Sequence, residues 1–210
     1  GVPISFGGKG FFRSARRKYG PRVSGTPLPD FLSRLDHSWS LFLDRDGVIN
    51  HKREDDYVKR WEEFIFEPNC LEALRELSSI FERIVVVTNQ RGIDKGLMSE
   101  ADLAMIHQRM QLKIAASGGR IDQIYHCPHH PHNDLRGWRK PKIGMALQAQ
   151  QDFPKIQFSH SVMIGDSWSD MKFGRNAGMK NVWISTATPP DSHMIDLQLS
   201  SLWAFAELCK

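Results

Sequence analysis

The sequence predicts an α/β fold: a doubly wound (Rossmann-like) parallel sheet with helices on both faces and no large cap domain. Three observations predict it. Short apolar runs at 41–43, 84–87 and 161–164 have the length and continuity of strands buried on both faces. Stretches of helical period lie between them, the alternation that builds a parallel sheet through crossover helices. Each run stops in polar residues, at Asp44, at Thr88-Asn89 and at Gly165-Asp166, as expected where strands deliver side chains to the carboxyl edge of an open sheet.

In chain order, residues 1–38 read as a basic N-terminal extension, rich in Gly, Pro, Ser and Arg and without sustained period. Phe6, Phe11, Phe12 and Tyr19 are candidates for local packing there, and 31–35 for one helical turn. The first strand, 41–43, runs into Asp44-Arg45-Asp46-Gly47, where the glycine lets the chain leave the sheet at once. A polar loop at 51–59 and an aromatic patch at Trp61, Phe64 and Phe66 lead to Pro68, placed where a helix begins. Cys70, Leu71, Leu74 and Leu77 then repeat at helical spacing.

After the second strand, Ser99 with Asp102 reads as a capping box, opening a long helix through Leu103, Ile106, Met110 and Ile114 that Gly118-Gly119 ends. A third strand is expected at 121–125, then a loop over 126–140 with prolines and clustered histidines, and a helix at 143–151. The fourth strand, 161–164, precedes a short helix ending near Gly174, and 181–184 reads as a fifth strand. Ile195, Leu199, Leu202, Trp203 and Phe205 predict a terminal helix. The expected organisation is therefore an extension at 1–38, a core at 39–188 and a C-terminal helix at 189–210 packed on that core.

With 210 residues and 40% apolar content, the chain can bury one ordinary core. No apolar run approaches the roughly 20 residues that cross a bilayer. Phe11-Phe12 sit among Arg13, Arg16, Arg17 and Lys18 rather than in a continuous apolar run, so neither a signal peptide nor a membrane partner is expected, and a cytoplasmic monomer is. Three cysteines, Cys70, Cys127 and Cys209, are too scattered for a disulfide framework. The net charge of +4 comes from Lys9, Arg13, Arg16, Arg17, Lys18, Arg22 and Arg34, opposed there only by Asp30 and Asp36. A basic arm of that kind reads as solvated or partner-facing; nucleic acid is not the expected partner.

The chemistry is carried at three strand ends. Asp44 and Asp46, spaced i, i+2, are suited to attack on phosphorus and to proton transfer, and two such charges need a cation, for which oxygen ligands favour Mg²⁺. Thr88 and Asn89 close the second strand, and Asp166 and Asp170 the fourth. Lys140, between Arg139 and Pro141, adds a cation. A nucleophile, a proton carrier, a magnesium cage and phosphate donors are the inventory of phosphoryl transfer.

On these motifs the chain resembles the haloacid dehalogenase superfamily of aspartate-nucleophile phosphatases. Within it, the chain is similar to the group of the D-glycero-D-manno-heptose 1,7-bisphosphate 7-phosphatases and histidinol-phosphatases. The matching pieces are D-R-D-G-V-I-N at 44–50, V-V-V-T-N-Q-R-G-I at 85–93, C-P-H-H-P at 127–131, R-K-P-K-I-G-M at 139–145 and G-D-S-W-S-D at 165–170. The resemblance implies that Asp44 forms an aspartyl-phosphate, that Asp46 acts as general acid and then base, and that Thr88 and Lys140 hold the phosphoryl oxygens. It also implies that Mg²⁺ is bound by Asp44, the carbonyl of Asp46 and Asp166. Substrate contacts would fall on Lys52, Arg53, Glu54, Asp55, Asn89, Gln90, Arg91 and Arg139.

Two departures qualify the match. Relatives close the Cys-Pro-His loop with a second cysteine pair that completes a structural zinc site, where this chain has Arg136 and Trp138. Cys127 and His129 supply only two of the four ligands a closed zinc site needs, so structural Zn²⁺ is not expected. Ser167 stands where many relatives carry lysine. The expectation is Mg²⁺-dependent removal of the 7-phosphate of a small phosphorylated sugar, the heptose bisphosphate. Histidinol phosphate is the rival substrate, and a non-catalytic nucleic-acid-binding module using the basic arm the rival class.

Overall fold

The computed structural model describes residues 27–210, so the packing expected of Phe6, Phe11, Phe12 and Tyr19 lies outside the described residues. Six strands form one parallel sheet: β1 (Ser40–Leu43), β2 (Arg83–Asn89), β3 (Gln123–Cys127), β4 (Ser161–Gly165), β5 (Lys180–Ile184) and β6 (Leu197–Leu199). Their order is β3-β2-β1-β4-β5-β6, the doubly wound arrangement. The helices are α1 (Cys70–Ser78), α2 (Glu100–Ala116), α3 (Gly144–Asp152), α4 (Trp168–Ala177) and α5 (Leu202–Leu208). None is long and apolar enough to cross a membrane.

Side chains alternate across the sheet, so one strand feeds two cores. Leu41, Leu43, Ile84, Val86, Val162 and Ile164 face α1, α2 and α5, whose Leu74, Leu77, Leu103, Ile106, Leu202 and Phe205 are buried against them. Phe42, Val85, Val87 and Met163 face the opposite way, onto Met145, Ala149 and Phe173 from α3 and α4. Burial on both faces is why the central strands read as unbroken apolar runs. The insertions at the carboxyl edge, residues 44–69 and 128–143, are loops with short 3₁₀ turns and no cap domain. At the start of the described chain, a single 3₁₀ turn at Asp30–Arg34 buries Phe31 against Trp39, as the pattern at 31–35 predicts.

Three expectations are corrected. The third strand starts at Gln123 rather than 121 and extends through His126 and Cys127. Side chains hold the preceding turn: Arg120 donates to the carbonyls of Ser78, Phe81 and Glu82, and Asp122 accepts the Ile84 amide at 2.8 Å. Helix α4 does not end near Gly174; it continues to Ala177, and Gly178 at φ 86° ends it. Gly174 lies inside because α4 crosses β4 and β5 so closely that a Cβ there would strike Asn181 and Met163. Finally, 189–210 is not simply a helix, because β6 adds a parallel edge strand to β5 and only Leu202–Leu208 are helical. A three-residue apolar alternation is too short for periodicity to separate strand from helix.

Candidate active site

Crossovers leave β1 and β4 in opposite directions along the sheet, so a crevice opens between their carboxyl ends, where open α/β sheets place ligands. Asp44 stands at that crevice. Its amide continues the ladder by donating to the Ile164 carbonyl at 3.0 Å, and its side chain is nearly buried. The chain then turns back, and the Arg45 carbonyl accepts the amides of Ile49 and Asn50 at 2.8 and 3.2 Å. Gly47, at φ 86°, is required twice over: the conformation favours glycine, and a Cβ would collide with the Asp166 carboxylate.

Lys140 is the cation of the crevice. Its Nζ donates to Asp44 Oδ1 at 2.9 Å, Asp170 Oδ1 at 2.6 Å and the Val87 carbonyl at 2.7 Å. All three ammonium protons are thereby used, and the side chain is 2% exposed. Burial works against that charge, but Asp170 and Asp44 outweigh it and raise the Lys140 pKa. The Asp44 carboxyl is pushed well above its ordinary value, first by burial and then by the charge of Asp170, with Lys140 opposing. Asp166 is raised for the same first two causes, offset by Lys52, whose Nζ lies 2.9 Å from Asp166 Oδ2. Oxygens of Asp44, Asp166 and Asp170 lie within 4.8 Å of one another, and Asp166 Oδ1 is buried without a hydrogen-bond partner among the described residues. An all-oxygen set with one uncommitted buried atom fits a hard divalent cation such as Mg²⁺. Asp170 also caps α4, its Oδ2 accepting the Ser167 amide at 3.1 Å and hydroxyl at 2.8 Å.

Asp46 is held by three donors. Arg45 Nη2 and Asn50 Nδ2 reach Oδ1 at 3.0 and 2.9 Å, and Gln90 Nε2 reaches Oδ2 at 2.8 Å. Burial alone would raise its pKa; the Arg45 guanidinium and these hydrogen bonds outweigh that, and the net direction is down. Arg45 is itself fully buried, and its Nη1 donates to His107 Nε2 at 3.0 Å. That imidazole is kept neutral, its pKa lowered to about 2 by burial first and by Arg45 and His126 next.

The predicted substrate contacts divide. Lys52 reaches the acid cluster, whereas Arg53 pairs with Asp56 at 3.1 Å and Glu63 at 3.9 Å; Glu54 and Asp55 are exposed. Asn89 grips the Lys140 backbone from both sides, accepting its amide at 3.0 Å and donating to its carbonyl at 3.2 Å. Gln90 is buried on Asp46 and on the Thr88 hydroxyl. Asn89 and Gln90 are therefore engaged with protein groups; Arg139 also donates, from Nη1 to the His129 carbonyl at 3.2 Å, and the charges of Arg91 and Arg139 both act on His130. The loop after β3 is held by Asp134, whose buried carboxylate accepts the amides of Trp138 and Arg139 at 2.9 and 3.0 Å. Cys127 Sγ lies 3.9 Å from the same group, and His129 offers its carbonyl to Arg139.

Sequence reasoning missed Arg45, Asn50, His107 and Asp134 as parts of this site. Arg45 and Asn50 stand inside the D-R-D-G-V-I-N motif and were there to be asked about. His107 carries no local signal beyond its place on the buried face of α2.

Comparison with known proteins agrees with this fold. The HAD-hydrolase-like family model matches residues 137–196. A D-glycero-alpha-D-manno-heptose-1,7-bisphosphate 7-phosphatase of Mycobacterium bovis is 39% identical over 178 residues, covering 82% of this chain and 92% of that protein. The D-glycero-beta-D-manno-heptose-1,7-bisphosphate 7-phosphatase of Escherichia coli is 36% identical, covering 78% and 89%. Among solved structures, the D,D-heptose 1,7-bisphosphate phosphatase from B. bronchiseptica, complexed with magnesium and phosphate, superposes with a TM-score of 0.71. It is 30% identical, with 80% of this chain and 96% of that chain covered.

Proposed function

The chain belongs to the haloacid dehalogenase-like phosphatases, and we propose that it removes the 7-phosphate of D-glycero-D-manno-heptose 1,7-bisphosphate, with Asp44 as the nucleophile. The observation that carries this reading is the Lys140 ammonium clamped between Asp44 and Asp170, beside a buried Asp166 oxygen that accepts no hydrogen bond from the described residues.

An Asp44 carboxylate oxygen attacks phosphorus, the bond from phosphorus to the sugar oxygen breaks, and the Asp46 carboxyl gives its proton to that oxygen. Water then attacks the aspartyl-phosphate, Asp46 takes the water's proton, and the bond to Asp44 breaks to release inorganic phosphate. Asp46 rests ionised here, ready for the second half; the approach of a phosphate dianion favours the protonated form needed for the first. In this reading Lys140 and the Thr88 hydroxyl hold phosphoryl oxygens, Lys140 by turning a proton away from Asp44. Magnesium, held by Asp44, Asp166 and the Asp46 carbonyl, would supply charge neutralisation for the phosphoryl oxygens.

Arg91 and Arg139 supply positive charge around His130, which supports a second anionic group on the substrate. With Mg²⁺ present, turnover of the heptose bisphosphate is expected to exceed that of histidinol phosphate by at least about tenfold, a difference of ~1.4 kcal/mol in transition-state binding. Faster hydrolysis of histidinol phosphate would overturn the substrate assignment. Chelation with EDTA is expected to stop turnover and added Mg²⁺ to restore it. No phosphomonoester hydrolysis, together with salt-sensitive DNA binding, would favour the nucleic-acid module instead.

A further inference from the structure

We propose that Arg45, between the two aspartates, is a positioning residue: its buried guanidinium fixes the Asp46 carboxylate for proton transfer, and His107 in turn fixes Arg45. The proposal rests on the phosphatase reading of the same site.

Arg45 heads the fully buried side chains of the described residues by volume, at 0% exposure. A guanidinium that deep is costly unless a carboxylate and further acceptors compensate it. Asp46 is its acidic partner at 3.0 Å. The second terminal nitrogen goes to His107 Nε2, 3.0 Å away. Arginine has no acceptor, so His107 must offer a lone pair there and carry its own proton on Nδ1. The Phe64 ring lies 5.9 Å from the guanidinium carbon and closes the slot.

A planar fork held at two of its nitrogens has little freedom to rotate. On the other side, Asn50 shares Asp46 Oδ1 and Gln90 takes Oδ2, so the carboxylate is fixed in position and in rotation. Asn50 and Gln90 are neutral; Arg45 alone among the three brings charge. Its backbone carbonyl also gathers the amides of Ile49 and Asn50, so one residue locks both the turn and the acid. A misplacement of about 1 Å in such a group costs on the order of 10²-fold in rate.

A sugar alkoxide needs a proton as it leaves, whereas p-nitrophenolate does not, and this separates a role through Asp46 from a role in folding. Wild type, Arg45→Lys and His107→Leu are compared with Mg²⁺ on D-glycero-D-manno-heptose 1,7-bisphosphate and on p-nitrophenyl phosphate, by steady state and by rapid quench. Arg45→Lys is expected to lower kcat on the sugar phosphate by about 10²-fold, with KM little changed. On p-nitrophenyl phosphate it keeps a fast first turnover, a burst of nitrophenolate followed by a slow phase, because only the water-activating step is impaired. His107→Leu gives the same pattern at smaller size, and Arg45→Lys adds no further loss to Asp46→Asn.

Unchanged kcat, a change confined to KM, or equal losses on both substrates with the burst included would overturn the proposal. Should Arg45→Lys fail to fold, His107→Leu carries the same expectation and the same refutation. A wild type that hydrolyses neither substrate would remove the phosphatase reading and this proposal together; an active wild type with variants lacking the pattern removes this proposal alone.

Discussion

Asp44 and Lys140 form the pair on which the proposed chemistry depends, a carboxylate and an ammonium 2.9 Å apart and both nearly buried. Asp44→Asn keeps the shape and removes the nucleophile, so kcat is expected to fall by at least about 10³-fold with an unchanged circular dichroism spectrum. A second residue-scale prediction concerns acid stability. His107 faces Arg45, His126 and Asp46, and its folded pKa of about 2 lies below its ordinary 6.5. The unfolded chain therefore binds a proton that the folded chain refuses. Its contribution to stability is complete above pH 6.5 and is lost progressively as pH falls toward 2, by up to about 1.4 kcal/mol per pH unit. In urea titrations between pH 7 and 5, His107→Leu is expected to flatten that decline. Asp44, Asp46 and Asp166 were legible in the sequence because each directly follows or nearly follows an apolar run. His107 was not, since nothing local distinguishes a buried helix histidine that packs from one that accepts a bond from Arg45.

At the scale of elements, the loop from β3 to α3 shows how the proposed phosphate-binding lysine is delivered. Asn89 grips the Lys140 backbone, and Asp134 gathers the amides of Trp138 and Arg139. Removing that carboxylate by Asp134→Ala strands two amides, a cost of about 2 kcal/mol or more. The expected readouts are faster amide exchange at Trp138 and Arg139 and a raised KM. Helix α4 supplies the other element-scale prediction. Gly174→Ala would place a Cβ against Asn181 and Met163, and overpacking of about 1–3 kcal/mol should appear as a lowered urea midpoint. In the sequence, Gly174 reads as a stop signal; close approach of a helix to its sheet demands the same residue, and a single chain cannot tell the two apart.

On the scale of the whole molecule, one sheet supports two cores, and its last strand and helix close the larger of them. Phe205 on α5 is fully buried and its ring centroid lies 6.3 Å from that of Phe81. Phe205→Ala should cost about 3–5 kcal/mol in chemical denaturation while leaving kcat per folded molecule unchanged, since the side chain belongs to the core and not to the crevice. The amino-acid order alone carried the alternation of strands and helices, the capping box of α2, the first five strands in chain order and the succession of reactive strand ends. These depend on neighbours within a few positions, where backbone preference and apolar period act directly. Folding in three dimensions settled the rest: the short β6, the seat of Lys140 between carboxylates, the reach of Lys52 to Asp166 across 114 positions, and the neutral His107 behind Arg45. Those features come from contacts between distant segments, whose energies of burial and pairing exist only once the sheet has brought the segments together.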